Sequence, residues 1–208
     1  GDQVKEEEIV EGMQDEDGHT HEEEHTHDDD LEYDEHVWLS LKNASLFCDT
    51  IASSLADVDP EHSRLYQQNA EAYEEKLAAL DQEYQTSVEK SQSKTLLFAD
   101  RFPFRYLIDD YNLTYYAAFA GCSAETDASF ETITFLAGKL DELKLPAVLT
   151  IENSDQKVAK AVIENTNTKD QKILTLNSMQ SVTTKDVEEG TTYLSIMENN
   201  LQILKEAL

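Results

Sequence analysis

The chain has 208 residues, enough for one large domain or for a domain with an attached arm, and this length excludes a large multidomain enzyme. Its formal net charge is −28, from 44 Asp and Glu against 16 Lys and Arg. Nucleic-acid binding needs a basic face that neutralises phosphates, so we expect no nucleic-acid partner, and an anionic membrane surface would repel the chain.

The acidic residues are concentrated at the amino end. Residues 1–36 hold seven Asp and ten Glu against the single Lys5, together with five of the six His. The segment 18–30 is of low complexity and lacks apolar side chains. Its self-repulsion predicts a flexible, solvated arm over residues 1–35.

This arm carries two His-x-His pairs among dense carboxylates: His19 and His21, and His25 and His27. Imidazole and carboxylate groups suit Zn²⁺ and similar divalent cations. We therefore predict that the arm collects metal ions. The alternative is an acidic solubility tail with incidental histidines.

The region 36–93 is predicted to be helical. Ser40 can cap a helix over residues 41–57. Asp59-Pro60-Glu61 then predicts the start of a second helix, which meets no Gly or Pro until after Ser93. At 1.5 Å per residue this helix is a rod of roughly 45–50 Å. Its apolar stripe is too weak for a coiled coil, so we predict a rod along the protein surface.

The region 94–208 alternates short apolar runs with helical patterns. The predicted strands span residues 95–99, 113–119, 146–151 and 172–176. The predicted helices span residues 104–111, 129–143, 154–165 and 191–207. This order is typical of an α/β fold with a four-stranded parallel sheet covered on both faces. A functional site is expected at the edge formed by the carboxyl ends of the strands.

One catalytic arrangement fits that edge, a carboxylate pair of Asp100 with Glu125 or Glu152. The alternative is that these acids cap helices or pair with Arg101. The sequence has no G-x-S-x-G elbow, P-loop or G-x-G-x-x-G motif that would support an enzyme. We therefore expect no enzymatic activity.

Residues Asp34 to Ala44 read D-E-H-V-W-L-S-L-K-N-A. This segment resembles the D-P-H-x-W-L-S-P-x-N-A signature of metal-specific solute-binding proteins of bacterial ABC importers. Zinc-type members carry a His- and acid-rich loop directly before the motif, as residues 19–35 do here. Residues 121–125, G-C-S-A-E, resemble the family's G-x-S-P-E turn, and residues 192–201 resemble its last helix.

The resemblance implies two α/β lobes joined by one long rigid helix, with the metal ion between them. Residues 36–93 would then be the end of the first lobe plus the connecting helix, and residues 94–208 the second lobe. The main sheet of the first lobe and its His ligand would precede Gly1. We therefore expect the chain to be a carboxyl-terminal fragment of such a protein.

The resemblance also implies the ligands. His36 matches a metal-binding histidine of the family. A second-lobe histidine, in an H-x-x-F-x-Y-L context, should fall near residues 99–101, where this chain has none, and Asp100 could replace it as an oxygen ligand. The acidic ligand that some members supply after the last strand corresponds to Asn177. The expected ion is Zn²⁺, with Mn²⁺ as the alternative.

The function implied by the resemblance is that of an extracytoplasmic metal-binding component, periplasmic or at the cell surface and lipid-anchored in the full-length protein. It would deliver its ion to an ABC importer permease in the membrane. The alternative is an adhesion or other interaction module on the same lobe without a tight metal site. The missing histidine near Asp100 favours this alternative, and the His-rich arm favours the importer component.

Overall fold

The computed structural model describes residues 4–14, 33–121, 123 and 127–208. The helices are α1 Leu41–Val58, α2 Ser63–Lys90, α3 Arg105–Asp110, α4 Phe130–Leu143, α5 Lys157–Glu164, α6 Thr184–Glu188 and α7 Tyr193–Ala207. The strands are β1 Thr95–Phe102, β2 Thr114–Ala120, β3 Ala147–Ile151 and β4 Lys172–Leu176. None of the helices in these ranges is long and apolar enough to cross a membrane.

The strands form one parallel sheet in the order β2-β1-β3-β4. The predicted α/β fold with a four-stranded parallel sheet is therefore confirmed. The register of β3 on β4 runs from Ala147 opposite Lys172 to Ile151 opposite Leu176. Because the strands are parallel, the loops after β1, β3 and β4 meet at one edge of the sheet.

The sheet separates two apolar cores. Alternate residues of β1 enter each core: Leu96 and Phe98 join side chains of α2 and α7, while Leu97 and Ala99 join side chains of α4 and α5. This alternation follows from the two-residue period of a strand. The continuous apolar runs in the sequence thus reflect a sheet that is covered on both faces.

The long helix α2 has 28 residues and is preceded by a 3₁₀ turn, Pro60–His62. Four buried side chains anchor its carboxyl-terminal half in the larger core, which is the one on the α2 and α7 side of the sheet: Leu77, Leu80, Tyr84 and Val88. The Tyr84 hydroxyl donates to the Met197 carbonyl oxygen at 2.6 Å. Leu65, part of the predicted apolar stripe, is instead exposed.

Residues 4–14 lie against the α/β lobe, although their composition had placed them in a flexible arm. The Gln14 amide donates to the Ala118 carbonyl oxygen at 2.9 Å, beside the outer strand β2. Lys5 pairs with Asp109 of α3 at 2.6 Å. Residues 1–3 and 15–32 of the predicted arm lie outside the described residues, and the division at residue 35 stays a prediction.

Two apolar side chains and one glycine explain this packing. Val10 and Met13 are apolar, and both pack against the larger core. Gly12 adopts φ +81° in the turn between them, a conformation that favours glycine. The average composition of residues 1–35 is dominated by acidic residues, so it does not reveal these few apolar side chains.

Replacement of Gly12 by Ala tests this packing. A Cβ at Gly12 would overlap the Phe135 ring of α4. Gly190 has a similar φ of +94°, but a Cβ there meets no atom within 4 Å. We expect Gly12→Ala to lower the free energy of unfolding by about 1–3 kcal/mol more than Gly190→Ala, as measured by urea denaturation. Equal costs for the two variants would show that residues 4–14 do not pack on α4.

Candidate metal site

His36 stands immediately before a 3₁₀ turn, Val37–Leu39, and its side chain is almost completely buried. Its ring Nδ1 lies 3.0 Å from Asp34 Oδ1, and its backbone amide donates to the same oxygen at 2.8 Å. A carboxylate only accepts hydrogen bonds, so Nδ1 carries the proton and Nε2 keeps its lone pair. This is the tautomer that can bind a metal ion through Nε2.

Long-range hydrogen bonds hold the motif in place. The Tyr106 hydroxyl of α3 donates to the Asp34 carbonyl oxygen at 2.8 Å. The Trp38 indole Nε1 donates to the Ser178 carbonyl oxygen at 2.9 Å, and the Tyr193 hydroxyl of α7 donates to the Trp38 carbonyl oxygen at 2.8 Å. The motif is thereby tied to α3, to α7 and to the loop after β4.

The polar residues Ser40 and Asn43, which follow the histidine, form hydrogen bonds at the start of α1. Ser40 Oγ accepts a hydrogen bond from the Asn43 amide at 3.1 Å, which confirms the predicted cap of α1. Asn43 Nδ2 donates to the Val37 carbonyl oxygen at 3.1 Å. These two contacts fix the angle between the 3₁₀ turn and α1, and so the position of the His36 backbone.

The Nε2 atom of His36 is covered by Gln180, which the sequence analysis did not select. Gln180 Nε2 lies 2.8 Å from His36 Nε2, so the amide donates into the imidazole lone pair. A metal ion at this nitrogen must displace the hydrogen bond. If the amide then rotates, its Oε1 can serve as a second ligand.

Glu152, directly after β3, holds the loop that presents Gln180. Its carboxylate accepts from the Ser178 amide at 2.7 Å, the Ser178 hydroxyl at 2.8 Å and the Gln180 amide at 3.1 Å. Because these structural hydrogen bonds occupy both oxygens, Glu152 is poorly suited to form a catalytic carboxylate pair with Asp100. Glu125, the other candidate partner, lies outside the described residues.

Asp100 and Asn177 both lie at the predicted edge of the sheet, where each caps backbone groups. Asp100 accepts from the Arg101 amide at 2.9 Å and from the Ile151 amide at 3.4 Å. Asn177 Oδ1 accepts from the Met179 amide at 2.8 Å. As ligands, both residues stay predictions.

Within residues 4–14, 33–121, 123 and 127–208, no three His, Cys, Asp or Glu side chains come close enough together to hold a metal ion. His36 and Asp100 therefore do not form such a cluster with a third residue of this part of the chain. The four arm histidines, His19, His21, His25 and His27, lie outside the described residues.

The turn after β2 approaches His36 closely. A Cβ at Gly121 would lie 2.8 Å from the Phe102 carbonyl oxygen and 3.3 Å from His36 Cε1. A side chain at this position would clash with the Phe102 carbonyl oxygen and crowd the imidazole ring. Gly121, the first residue of the G-C-S-A-E segment noted in the sequence, therefore lies against the candidate ligand.

The family model described as "ZnuA: Zinc-uptake complex component A periplasmic" matches residues 2–207. The chain belongs to this family. The resemblance inferred from the His36 motif is thereby confirmed.

Two relatives and one solved structure illustrate the similarity. The zinc-binding lipoprotein AdcA of Streptococcus pneumoniae is 33% identical over 201 residues, which are 97% of this chain and 37% of AdcA. The metal ABC transporter substrate-binding lipoprotein SsaB of Streptococcus sanguinis is 31% identical over 84% of this chain and 55% of SsaB. The Zn(II)-bound ZnuA-like domain of Streptococcus pneumoniae AdcA matches with a TM-score of 0.69 and 30% identity, over 84% of this chain and 64% of that domain. The chain thus spans about a third to two thirds of the length of these relatives.

Proposed function

We propose that this chain is part of an extracytoplasmic metal-binding component of an ABC importer, which captures Zn²⁺ and delivers it to a permease in the membrane. The observation that carries the proposal is the 3.0 Å contact between His36 Nδ1 and the Asp34 carboxylate. The His36 Nδ1 donates to the buried Asp34, which leaves the Nε2 lone pair for a metal ion. A histidine oriented by a carboxylate is the usual arrangement at zinc ligands.

The donor set favours zinc over manganese. His36 offers an imidazole nitrogen and Gln180 an amide oxygen, whereas Mn²⁺ prefers a set made mainly of oxygen atoms. The family resemblance places further ligands on a first lobe, and Asp100 and Asn177 are the candidates within this chain. We expect this chain alone to bind zinc more weakly than a complete four-ligand site.

The similarity to lipoproteins and to a metal ABC transporter substrate-binding protein supports the proposed location and partner. We propose that the full-length protein is periplasmic or lipid-anchored at the cell surface. The arm histidines would raise the local zinc concentration near His36. No catalytic role is proposed, because the family is one of transport components and the acids at the sheet edge bind backbone groups.

Calorimetric titration with Zn²⁺ tests the proposal. The arm histidines would bind zinc independently, so every titration uses a four-alanine background that replaces His19, His21, His25 and His27. Deletion of the whole arm is unsuitable, because residues 4–14 pack on the lobe. We expect one zinc site in this background. A folded protein without any zinc site would instead support the interaction-module alternative.

Asp34→Asn, in the four-alanine background, tests the contact between Asp34 and His36. The Asn oxygen can still accept from the His36 backbone amide and from Nδ1, but the neutral amide raises the basicity of the imidazole less than a carboxylate does and leaves Nε2 a weaker ligand. We expect the zinc affinity to fall about 10–100-fold, measured by competition with a fluorescent chelator. The control is Asp170→Asn, which removes the same charge from an exposed loop. Equal effects of the two variants would indicate only long-range electrostatics.

A further inference from the structure

The Tyr106 hydroxyl joins two segments of the chain directly beside the His36 motif. It accepts a hydrogen bond from the Lys5 backbone amide at 3.0 Å and donates one to the Asp34 carbonyl oxygen at 2.8 Å. The Asp34 amide in turn donates to the Lys5 carbonyl oxygen at 2.9 Å. These three hydrogen bonds close a ring in which both backbone groups of Asp34 are held.

Further contacts fasten the amino-terminal side of this ring. Glu6 forms an isolated antiparallel bridge with Tyr33, the residue before Asp34. Glu8, two residues further along, forms an ion pair with Arg105 of α3. The segment that supplies the Lys5 backbone groups is thus attached both to α3 and to the chain that leads into the metal motif.

Tyr106 itself is held firmly by the α/β lobe. It is buried in α3, and its neighbours Leu107 and Ile108 belong to the larger core. The helix directly follows β1, the strand that carries Asp100. The Tyr106 hydroxyl therefore fixes the Asp34 backbone relative to the sheet whose edge holds the other candidate ligands.

The position of Asp34 decides the orientation of His36. The Asp34 Oδ1 atom accepts from the His36 backbone amide at 2.8 Å and lies 3.0 Å from the ring Nδ1. A metal site works only when its ligands are held to within about 0.5 Å of the binding geometry. A displaced Asp34 backbone would turn the imidazole and move Nε2 away from that position.

We propose that Tyr106 is a positioning residue of the metal site: its hydroxyl holds the Asp34 backbone, and the Asp34 carboxylate in turn fixes the direction of His36 Nε2. Tyr106 acts through these two residues and does not touch the ion. The inference rests on the zinc-binding function proposed above. It also gives the Lys5 backbone a role, because that backbone completes the ring of hydrogen bonds.

Tyr106→Phe in the four-alanine background tests this role, because it keeps the ring and removes only the hydroxyl. We expect zinc affinity to fall about tenfold, the lower end of the range for loss of a group that orients a zinc ligand. Tyr84→Phe is the matched control. Tyr84 is also buried, and its hydroxyl donates to a backbone carbonyl oxygen, that of Met197, away from the motif. This control should lose stability but keep its zinc affinity, measured by competition with a fluorescent chelator.

Imidazole ¹⁵N NMR of the zinc-free proteins, at one fixed pH, supplies a readout that a merely structural role would not change. The four-alanine background leaves His36 and His62 as the only imidazoles. In the parent and in Tyr84→Phe, we expect His36 to show one tautomer with the proton on Nδ1. In Tyr106→Phe, its signals should move towards the average of the two tautomers, because a loosened Asp34 no longer selects one. The His62 signals should be the same in all three proteins.

Lys5→Pro is a second variant that leaves Tyr106 intact. Proline has no amide proton to donate to the Tyr106 hydroxyl, so zinc affinity should fall, although less than in Tyr106→Phe. Lys5→Ala is its control, because it removes the ion pair with Asp109 but keeps the amide. Equal zinc affinities in Lys5→Pro and Lys5→Ala would count against the ring of hydrogen bonds.

The outcomes separate this inference from the proposed function. Equal zinc affinities in Tyr106→Phe and Tyr84→Phe would overturn the positioning role. A loss of affinity without any change in the His36 nitrogen signals would overturn it as well, because Tyr106 would then act by another route. If the parent binds no zinc, the proposed function fails, and the nitrogen signals still decide whether Tyr106 holds the contact between Asp34 and His36.

Discussion

His36→Ala is expected to abolish the zinc binding that remains in the four-alanine background. The substitution removes the imidazole whose Nε2 is the proposed ligand, and it leaves Asp34 as a buried carboxylate without its Nδ1–H donor. Loss of an outer partner of a zinc ligand typically costs 10–100-fold in affinity, so loss of the ligand itself should cost more than about 100-fold. Calorimetric titration with Zn²⁺ measures this change.

His62 provides a matched control for this prediction. Its Nδ1 also lies 2.8 Å from a carboxylate, Asp59 Oδ2, but the pair is exposed at the start of α2. His62→Ala should leave zinc affinity unchanged. Because His36 is buried, His36→Gln is also needed, since it keeps a polar side chain of similar length and should likewise lose most of the affinity. Zinc binding that survives both His36 variants would place the site elsewhere.

Leu77→Pro is expected to lower the free energy of unfolding by about 3 kcal/mol or more, because proline removes a hydrogen bond of the helix and clashes with the preceding turn. Leu77 is buried in the larger core midway along α2. Breaking the helix there would separate its anchored half from the half that packs on α1. Urea denaturation followed by circular dichroism measures the effect.

Glu75, exposed on the neighbouring turn, separates the backbone effect from the loss of a core side chain. Glu75→Pro should also cost about 3 kcal/mol, because the backbone damage is the same. Glu75→Ala should cost almost nothing, because alanine favours helix and the side chain is exposed. If Glu75→Pro matched Glu75→Ala in stability, a continuous helix over this region would be untenable.

Local patterns in the sequence determine the elements and the order in which they follow one another. The alternation of short apolar runs with helical periodicity predicts the parallel sheet, because a strand covered on both faces must be apolar throughout. Ser40 predicts the start of α1, and Asp59-Pro60 the start of α2, because helix ends expose unpaired backbone groups. The order of residues around His36 identifies the family, and three of its polar residues, Asp34, Ser40 and Asn43, make contacts close by in the chain.

The tertiary structure alone decides which side chain meets His36. Gln180 is 144 residues away in sequence and reaches the imidazole only because Glu152, in the loop after β3, holds the loop after β4. Asn177, only three residues before Gln180, caps a turn instead. The order β2-β1-β3-β4 brings these loops together, and no local preference encodes that order.

The same limit applies to residues 4–14. Residues 4–14 appear solvated by composition, yet Val10 and Met13 find apolar partners on a surface formed by residues far along the chain. Burial is a property of the assembled surface, so the sequence determined the elements and one candidate ligand, and the packing decided the surroundings of that residue.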